Sequence, residues 1–187
     1  LQFRSIAGQA STQRGSVFYS CRLLCPAPPV DVYLPADLAD LVLPRALDIG
    51  MELRPQPLRN DALQGATQLQ THVEPALNAA FVVLRHAGAD WPEVLQRSLR
   101  QWCRQKVDAI YLSLNLCDAD TPAACASAAH LGFLPAGLTP YMPWPATLAL
   151  QYLNNQWLEI DNIVSVGPAA EALRDQVFAA YRQQECL

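Results

Sequence analysis

The sequence is poor in charged residues and lacks the patterns that mark several classes of protein. Charged residues make up 16% of its 187 positions, against roughly 25% in an average globular chain. The net charge is −4 and the pI is near 5.3, so we expect neither a nucleic-acid partner nor an anionic membrane surface. No apolar run approaches the roughly 20 residues that span a bilayer. These absences favour a well-buried globular domain.

The six cysteines also lack the spacings of the common metal and redox motifs. None forms a Cys-x-x-Cys pair or a cluster with histidine, and the sequence therefore predicts no metal site. Cys103 and Cys117 sit within apolar patterns, and we interpret them as small core residues. Because reduced thiols are normal in the cytoplasm, we expect a cytoplasmic protein.

The centre of the chain predicts strands that alternate with helices. Ala79–Leu84 is an unbroken apolar run, typical of a strand buried on both faces, and Val107–Leu116 alternates as a second strand. Between them, Asp90-Trp91-Pro92-Glu93 has the form of a capping box with Asp90 as N-cap, and an amphipathic helix follows. The spacing predicts two adjacent parallel strands joined by a crossover helix, and hence an α/β protein with a mixed sheet.

The flanking segments predict the other elements of the sheet and its helices. Alternation at Thr67–Val73 predicts a strand antiparallel to the first central strand, whereas residues 52–65 are interpreted mostly as loop. Further strands are expected at Ser16–Leu24, Val30–Leu34, Phe133–Pro140, Thr147–Leu153 and Asp161–Val166. Further helices are expected from Pro35 to Gly50, where Pro44 should kink or interrupt the helix, from Asp120 to Gly132, and over Ala169–Gln184.

The turn at Arg85–Asp90 is the place where a phosphate group is easiest to accommodate. It contains Gly88 and leads into a helix N-terminus, where unpaired backbone N–H groups converge. His86 lies in this turn and could act as a general base, although a loop histidine without a named partner is more often only solvated.

Other polar residues have both a functional and a structural interpretation. Asn115, near a strand end, would either orient a ligand or satisfy nearby backbone groups. His72 and His130 are interpreted as a strand-surface and a helix-end residue. Tyr141–Ala146, an aromatic and proline-rich connection, is either a substrate lip or a hairpin loop packed on its own domain. No Ser-His-Asp order or P-loop supports another enzyme class.

The chain contains Arg85-x-x-Gly88, which is followed by a helix, a strand, a second helix and Leu131-Gly132-Phe133. This order resembles the GNAT superfamily of N-acetyltransferases. The resemblance covers roughly residues 30–153. It implies an acyl-CoA N-acyltransferase fold, in which a central pair of parallel strands is flanked by helices.

Three short motifs are more narrowly similar to a bacterial subgroup with paired GNAT-like domains: Val32–Pro35, Leu131–Phe133 and Leu150–Leu153. In that subgroup, Arg14-Gly15-Ser16 would belong near the end of the preceding domain, and the proline-rich Cys25–Pro29 would follow as a linker. We therefore expect residues 1–29 to be the tail of an upstream domain plus a linker, and residues 30–187 to be a GNAT-like domain. The lack of an initiator Met or signal-peptide pattern also favours a fragment of a multidomain protein.

The resemblance implies acetyl-CoA as the cofactor, held through its pyrophosphate by backbone N–H groups of the turn. Arg85 and Gly88 match the family signature, whereas Asp90 stands where glycine or alanine is expected. A carboxylate at this position would compete for the same donors and repel phosphate. We nevertheless count Asp90 among the positions that the resemblance assigns to cofactor binding.

On the second helix the resemblance assigns Thr121 and Ala124 to the cofactor site, and Ala128 stands where the family has its tyrosine acid. Two interpretations therefore stay open. The first is an N-acyltransferase domain that transfers an acetyl or acyl group from acyl-CoA to an amine. The second is a domain that keeps the fold without the chemistry, and supports a catalytic neighbour or senses a ligand. The acceptor substrate and the oligomeric state are left open.

Overall fold

The computed structural model describes residues 21–59, 61–154, 163–165 and 167–185, which form a mixed α/β protein. In chain order the strands are β1 (Val30–Val32), β2 (Leu53–Pro55), β3 (Gln68–Glu74), β4 (Ala79–His86), β5 (Ala109–Asn115), β6 (Leu134–Pro140) and β7 (Ala146–Leu153). The helices of these residues are α1 (Ala39–Asp48), which follows a 3-10 turn at Ala36–Leu38, and α2 (Trp91–Arg104), α3 (Thr121–His130) and α4 (Pro168–Glu185).

Five strands form the main sheet, in the order β3-β4-β5-β7-β6. The central strands β4 and β5 are adjacent and parallel, as predicted, with Ala79 opposite Ala109 and Val83 opposite Ser113. Their neighbours β3 and β7 run antiparallel to them, and β6 completes the sheet antiparallel to β7. The helix α2 makes the connection between the two parallel strands, because parallel neighbours need a long crossover.

The two central strands part before they end. Their last paired residues are Val83 and Ser113, but β4 continues to His86 along β3 and β5 continues to Asn115 along β7. The parallel ladder therefore opens at the C-terminal ends of the two strands, where α2 begins. The turn at Arg85–Asp90, which the sequence indicated as a possible phosphate site, lies at this end of the sheet.

One buried cluster joins α2 to one face of the sheet. The buried side of α2 consists of Trp91, Leu95, Leu99 and Trp102, and the alternating residues of β5 that share the cluster are Ile110, Leu112 and Leu114. The Trp91 ring is fully buried and donates its Nε1–H to the carbonyl oxygen of Ala124 in α3, at 3.2 Å. The arginines of α2 lie on its exposed side, as expected of the amphipathic helix that the sequence predicted.

The first part of the described chain confirms one sequence prediction and corrects part of another. The described residues of 52–65 are mostly loop, as predicted, and also contain the strand β2, which pairs in parallel with β1 from Val30 opposite Leu53. A strand of only three residues carries no periodic signal, and its pairing with β1 is what defines it. Pro44 does not interrupt α1, which runs from Ala39 to Asp48. Its buried face, at Leu41, Val42 and Ala46, holds the helix against the core on both sides of the proline.

Some predicted elements lie wholly or partly outside the described residues. This applies to most of Ser16–Leu24 and to part of Asp161–Val166, and the described residues 163–165 form no strand. Leu23 packs against the core and donates its N–H to the Ile49 carbonyl at 2.8 Å. The domain boundary near residue 29 stays a prediction. Of the described helices, none combines the length and apolar character needed to cross a bilayer.

Candidate functional site

The turn between β4 and α2 is covered by a segment of the same chain. Residues Gln64–Thr67, here called the covering segment, directly precede β3, and β3 pairs with β4. Because the two strands are antiparallel, the start of β3 lies beside the end of β4. Ala87 and Gly88 of the turn are buried, whereas Ala89 and Asp90 are exposed.

The backbone donors of the turn bind the covering segment. The N–H of Gly88 donates to Thr67 Oγ1 at 3.1 Å, and the N–H of Ala89 donates to the Gly65 carbonyl oxygen at 3.0 Å. These are the groups that would face a phosphate at this helix N-terminus. An anion at this position would have to displace both acceptors.

Gly88 is needed here because the covering segment comes very close to it. A Cβ atom on Gly88 would lie 2.4 Å from the Thr67 nitrogen, 2.5 Å from the Ala66 carbonyl carbon and 2.6 Å from the Gly65 oxygen. The φ angle of Gly88 lies outside the left-handed region, so the requirement for glycine is one of space. The space that glycine leaves free is filled by the protein's own backbone.

Asp90 binds the covering segment and does not cap its own helix. Its Oδ1 accepts the N–H of Thr67 at 2.8 Å, and its side chain makes no capping hydrogen bond to α2. The capping-box prediction was therefore wrong. Local spacing offered the helix N–H groups as partners, but the tertiary fold brings a backbone donor from 23 residues earlier in the chain. Asp120, at the start of α3, also makes no side-chain capping bond.

Hydrogen bonds from Thr67 lower the pKa of Asp90. The side-chain bond from Thr67 is the largest cause and the bond from its backbone N–H is the next, while the positive charge of Arg97 acts in the same direction. The carboxylate form is therefore favoured in the folded state. A negative charge stands at the helix N-terminus where a bound phosphate would have to lie.

This lowered pKa predicts that Asp90 stabilises the protein only above mildly acidic pH. Its contribution is present above the unfolded pKa, roughly 4, and is lost as the pH falls through the lower folded pKa. The difference in free energy of unfolding between the unaltered protein and Asp90→Asn should be constant near neutral pH and shrink below about pH 4. Urea titrations from pH 7 to pH 2.5 measure it. The exposed Asp61→Asn serves as the control for net charge, and a difference independent of pH would contradict the prediction.

The side chains of Arg85 and His86 contact groups other than the backbone donors of the turn. The Arg85 guanidinium donates to Gln70 Oε1 through Nε at 3.3 Å and through Nη2 at 2.8 Å, and its central carbon lies 5.4 Å from the centre of the Trp144 ring. His86 Nε2 lies 2.9 Å from the Gln64 carbonyl oxygen. Because a carbonyl only accepts, Nε2 is the protonated nitrogen in this contact. His86 thereby helps to hold the covering segment.

The predicted site residues of α3 have structural partners. Thr121 is buried and its hydroxyl donates to the Asn115 carbonyl, while the Ala124 carbonyl accepts the Trp91 indole N–H. Ala128 is fully buried and offers no acidic proton. The Asn115 side chain accepts the N–H of Cys117 at 3.1 Å, which is the structural alternative that the sequence left open.

The remaining histidines lie apart from the turn's donors. His72 Nε2 is 3.6 Å from Glu74 Oε2 on the exposed part of β3. His130 lines a surface groove of about 420 Å³ between α2 and α3, together with residues such as Glu93 and Leu131. Within the described ranges, no group of three or more His, Cys, Asp or Glu residues is placed to hold a metal ion.

Comparison with known proteins gives no match: no family model fits the chain, and no curated protein or solved structure is significantly similar to it.

Sequence reasoning missed the covering segment and the partners of Arg85. Gly65-Ala66-Thr67 has no motif, and its role depends on the pairing of β3 with β4. A signal was nevertheless available, because an antiparallel partner of β4 must start beside the turn in which β4 ends. The contact of Trp144 with Arg85 has no comparable signal, because it joins a hairpin loop to a strand on the other side of β5.

Proposed function

We propose that this chain is a GNAT-like domain that lacks acyl transfer chemistry and supports a neighbouring domain of the same protein. The observation that carries the proposal is the occupation of the turn's donors. The N–H groups of Gly88 and Ala89 bind Thr67 and Gly65 of the same chain. In the resembled family these donors hold the cofactor pyrophosphate, so here the site is filled from within.

Acyl-CoA would meet three obstacles at this turn. The pyrophosphate would have to displace both acceptors of the covering segment and then tolerate the Asp90 carboxylate. Each displaced hydrogen bond costs about 1 kcal/mol net, and more where a buried group is left without a partner. The lowered pKa of Asp90 keeps its charge in place at neutral pH. Together these effects oppose binding.

The acid required for thiolate departure is also missing. The position that the resemblance assigns to tyrosine holds Ala128, which has no exposed surface. His86 is an unsuitable replacement, because its Nε2–H is engaged by the Gln64 carbonyl. A cofactor that reached the site would therefore lack a proton donor from either residue.

The alternative is an N-acyltransferase that binds acyl-CoA after the covering segment moves. Its support is the opening of the parallel ladder beyond Val83 and Ser113, next to the turn at which the resemblance places the cofactor pyrophosphate. The groove of about 420 Å³ between α2 and α3 adds surface next to the turn. Neither feature supplies the missing acid, and we therefore place this function second.

An acetyl-transfer assay distinguishes the two functions. Incubation with acetyl-CoA and a mixture of primary amines should release no more free thiol than the sum of two blanks, one without protein and one without acetyl-CoA, because the site is filled and the acid is absent. The second blank corrects for the protein's own thiols, of which Cys21 and Cys25 are exposed. In the longer protein that we expect, removing residues 30–187 should lower the thermal stability of the upstream domain. Steady thiol release that depends on an added amine would overturn the proposal and establish the acyltransferase.

A further inference from the structure

Arg85 places a positively charged group on the face of the sheet that α2 does not cover. Val82 and Leu84 of β4 belong to the buried cluster shared with α2. Successive side chains of a strand point to opposite faces, so Arg85 projects from the other face, together with Val83. Its side chain is exposed. This group therefore lies across the sheet from the core on which α2 packs.

The Arg85 guanidinium is held in one orientation by two neighbours. The Oε1 atom of Gln70 in β3 accepts hydrogen bonds from Nε and Nη2 of Arg85, and the centre of the Trp144 ring lies 5.4 Å from the central carbon of the guanidinium. Gln70 is opposite Val83 in the β3–β4 ladder, on the same face of the sheet. An amide oxygen on one edge of the guanidinium and an aromatic ring over which its central carbon lies fix the group without neutralising it.

No described carboxylate compensates this charge. Arg45 pairs with Asp48 and Arg174 with Asp175, whereas among the described residues no carboxylate oxygen lies within 4.0 Å of Arg85. The chain has 17 acidic and 13 basic residues, so carboxylates are not scarce. Of the five guanidinium N–H groups, two bind Gln70, and the other three point to no described acceptor.

An apolar hairpin loop borders the guanidinium. It connects β6 to β7 at residues 141–145, where Tyr141 is 49% and Met142 66% exposed. Hydrogen bonds close the loop, from the Tyr141 N–H to the Pro145 carbonyl at 3.2 Å and from the Trp144 N–H to Thr147 Oγ1 at 3.4 Å. Exposed aromatic and methionine side chains beside a fixed arginine are typical of binding surfaces.

We propose that Arg85, with Gln70 and Trp144, binds the carboxylate of a small organic acid, whose apolar part lies against the hairpin loop. The planar guanidinium presents paired N–H groups that match the two oxygens of a carboxylate. The fork matches phosphate as well, but the exposed apolar side chains of the hairpin loop favour an acid with an apolar part, and the helix N-terminal donors of the turn already bind the covering segment. The site goes beyond the proposed function and does not depend on whether acyl-CoA binds.

Phenylacetate, which joins a carboxylate to an aromatic ring, tests the proposal. We expect saturable binding with a Kd on the order of 1 mM, the affinity expected of so small a ligand. The NMR chemical shift of the Trp144 indole N–H measures this binding. Arg85→Gln should weaken binding about tenfold, since it removes charge-assisted hydrogen bonds. Arg85→Lys should also weaken it, because a point charge lacks the planar fork. Arg100→Gln, an exposed arginine of α2, should leave binding unchanged.

Three ligands define the chemistry of the site in the same titration. Phenylacetamide has the same shape without the charge and should bind at least tenfold more weakly, and inorganic phosphate should not saturate the site. The proposal would be overturned by equal binding of the acid and the amide, or by tight phosphate binding. It would also be overturned if phenylacetate did not saturate the site at concentrations up to about 20 times the expected Kd. If a peptide with a C-terminal phenylalanine bound over tenfold more tightly than phenylacetate, the proposal of a small acid would be overturned in favour of a protein partner.

Discussion

Acetyl-CoA titrated into this protein should give no saturable heat of binding at concentrations up to roughly 1 mM, which corresponds to less than about 4 kcal/mol of binding free energy. The backbone donors that would receive its pyrophosphate, at Gly88 and Ala89, already bind Thr67 and Gly65. Asp90 adds a negative charge beside them. Phosphate would have to replace neutral acceptors with no new cation to receive it, and we expect that exchange to be unfavourable.

A double variant tests whether the turn holds an anion site beneath the covering segment. Thr67→Val keeps the side-chain size while removing the oxygen that accepts the Gly88 N–H, and Asp90→Gly removes the charge and its bond to Thr67. We expect the double variant to bind acetyl-CoA at least tenfold more tightly than the unaltered protein, because the anion then meets fewer competitors. Isothermal titration calorimetry at low ionic strength measures both proteins.

Glu93→Gln is the matched control for this titration. It removes one negative charge from the first turn of α2 but breaks no hydrogen bond between the turn and the covering segment. The control should therefore bind no better than the unaltered chain. Low-micromolar binding by the unaltered protein would contradict the prediction. Equal, undetectable binding by all three proteins would show that the turn is structural and holds no concealed anion site.

The periodic part of the fold could be predicted from sequence because burial leaves a repeating pattern. The alternation at Ile110, Leu112 and Leu114 and the helical spacing of Trp91 and Leu95 each mark a buried face. The parallel pairing of β4 with β5 then follows from the helix between them. Elements defined by one pairing, such as β2 beside β1, leave no such pattern.

The candidate site was only partly predictable because its partners are distant in sequence. The turn and Gly88 could be found from local rules, which associate glycine with a helix N-terminus. The same rules gave Asp90 the wrong partner, since they consider only donors within a few residues. Its actual donor, Thr67, comes from the covering segment, 23 residues earlier in the chain. Where tertiary contacts compete with a capping box of ordinary strength, about 1 kcal/mol, the tertiary contact can win.

Gly88→Ala should be the most destabilising small substitution in this region, by about 3 kcal/mol in the free energy of unfolding. The added Cβ would meet backbone atoms of Gly65, Ala66 and Thr67 at 2.4 to 2.6 Å. Backbone cannot rotate aside as the end of a side chain can. Either the turn is strained in place, or the covering segment lifts and its hydrogen bonds are lost, at about 1 kcal/mol each.

Urea unfolding tests this contact in three proteins: Gly88→Ala, Thr67→Val, and the variant that combines these two substitutions. Ala89→Ser adds one atom at the exposed neighbouring position and should change stability by less than about 0.5 kcal/mol. If Gly88→Ala displaces the covering segment, Thr67→Val should cost less in that background than alone, because its bond to the Gly88 N–H is already broken. Hydrogen exchange at the Ala89 N–H should then also accelerate, since its bond to Gly65 opens with the segment. A Gly88→Ala protein as stable as the control, with unchanged exchange, would show that the covering segment does not lie against the turn.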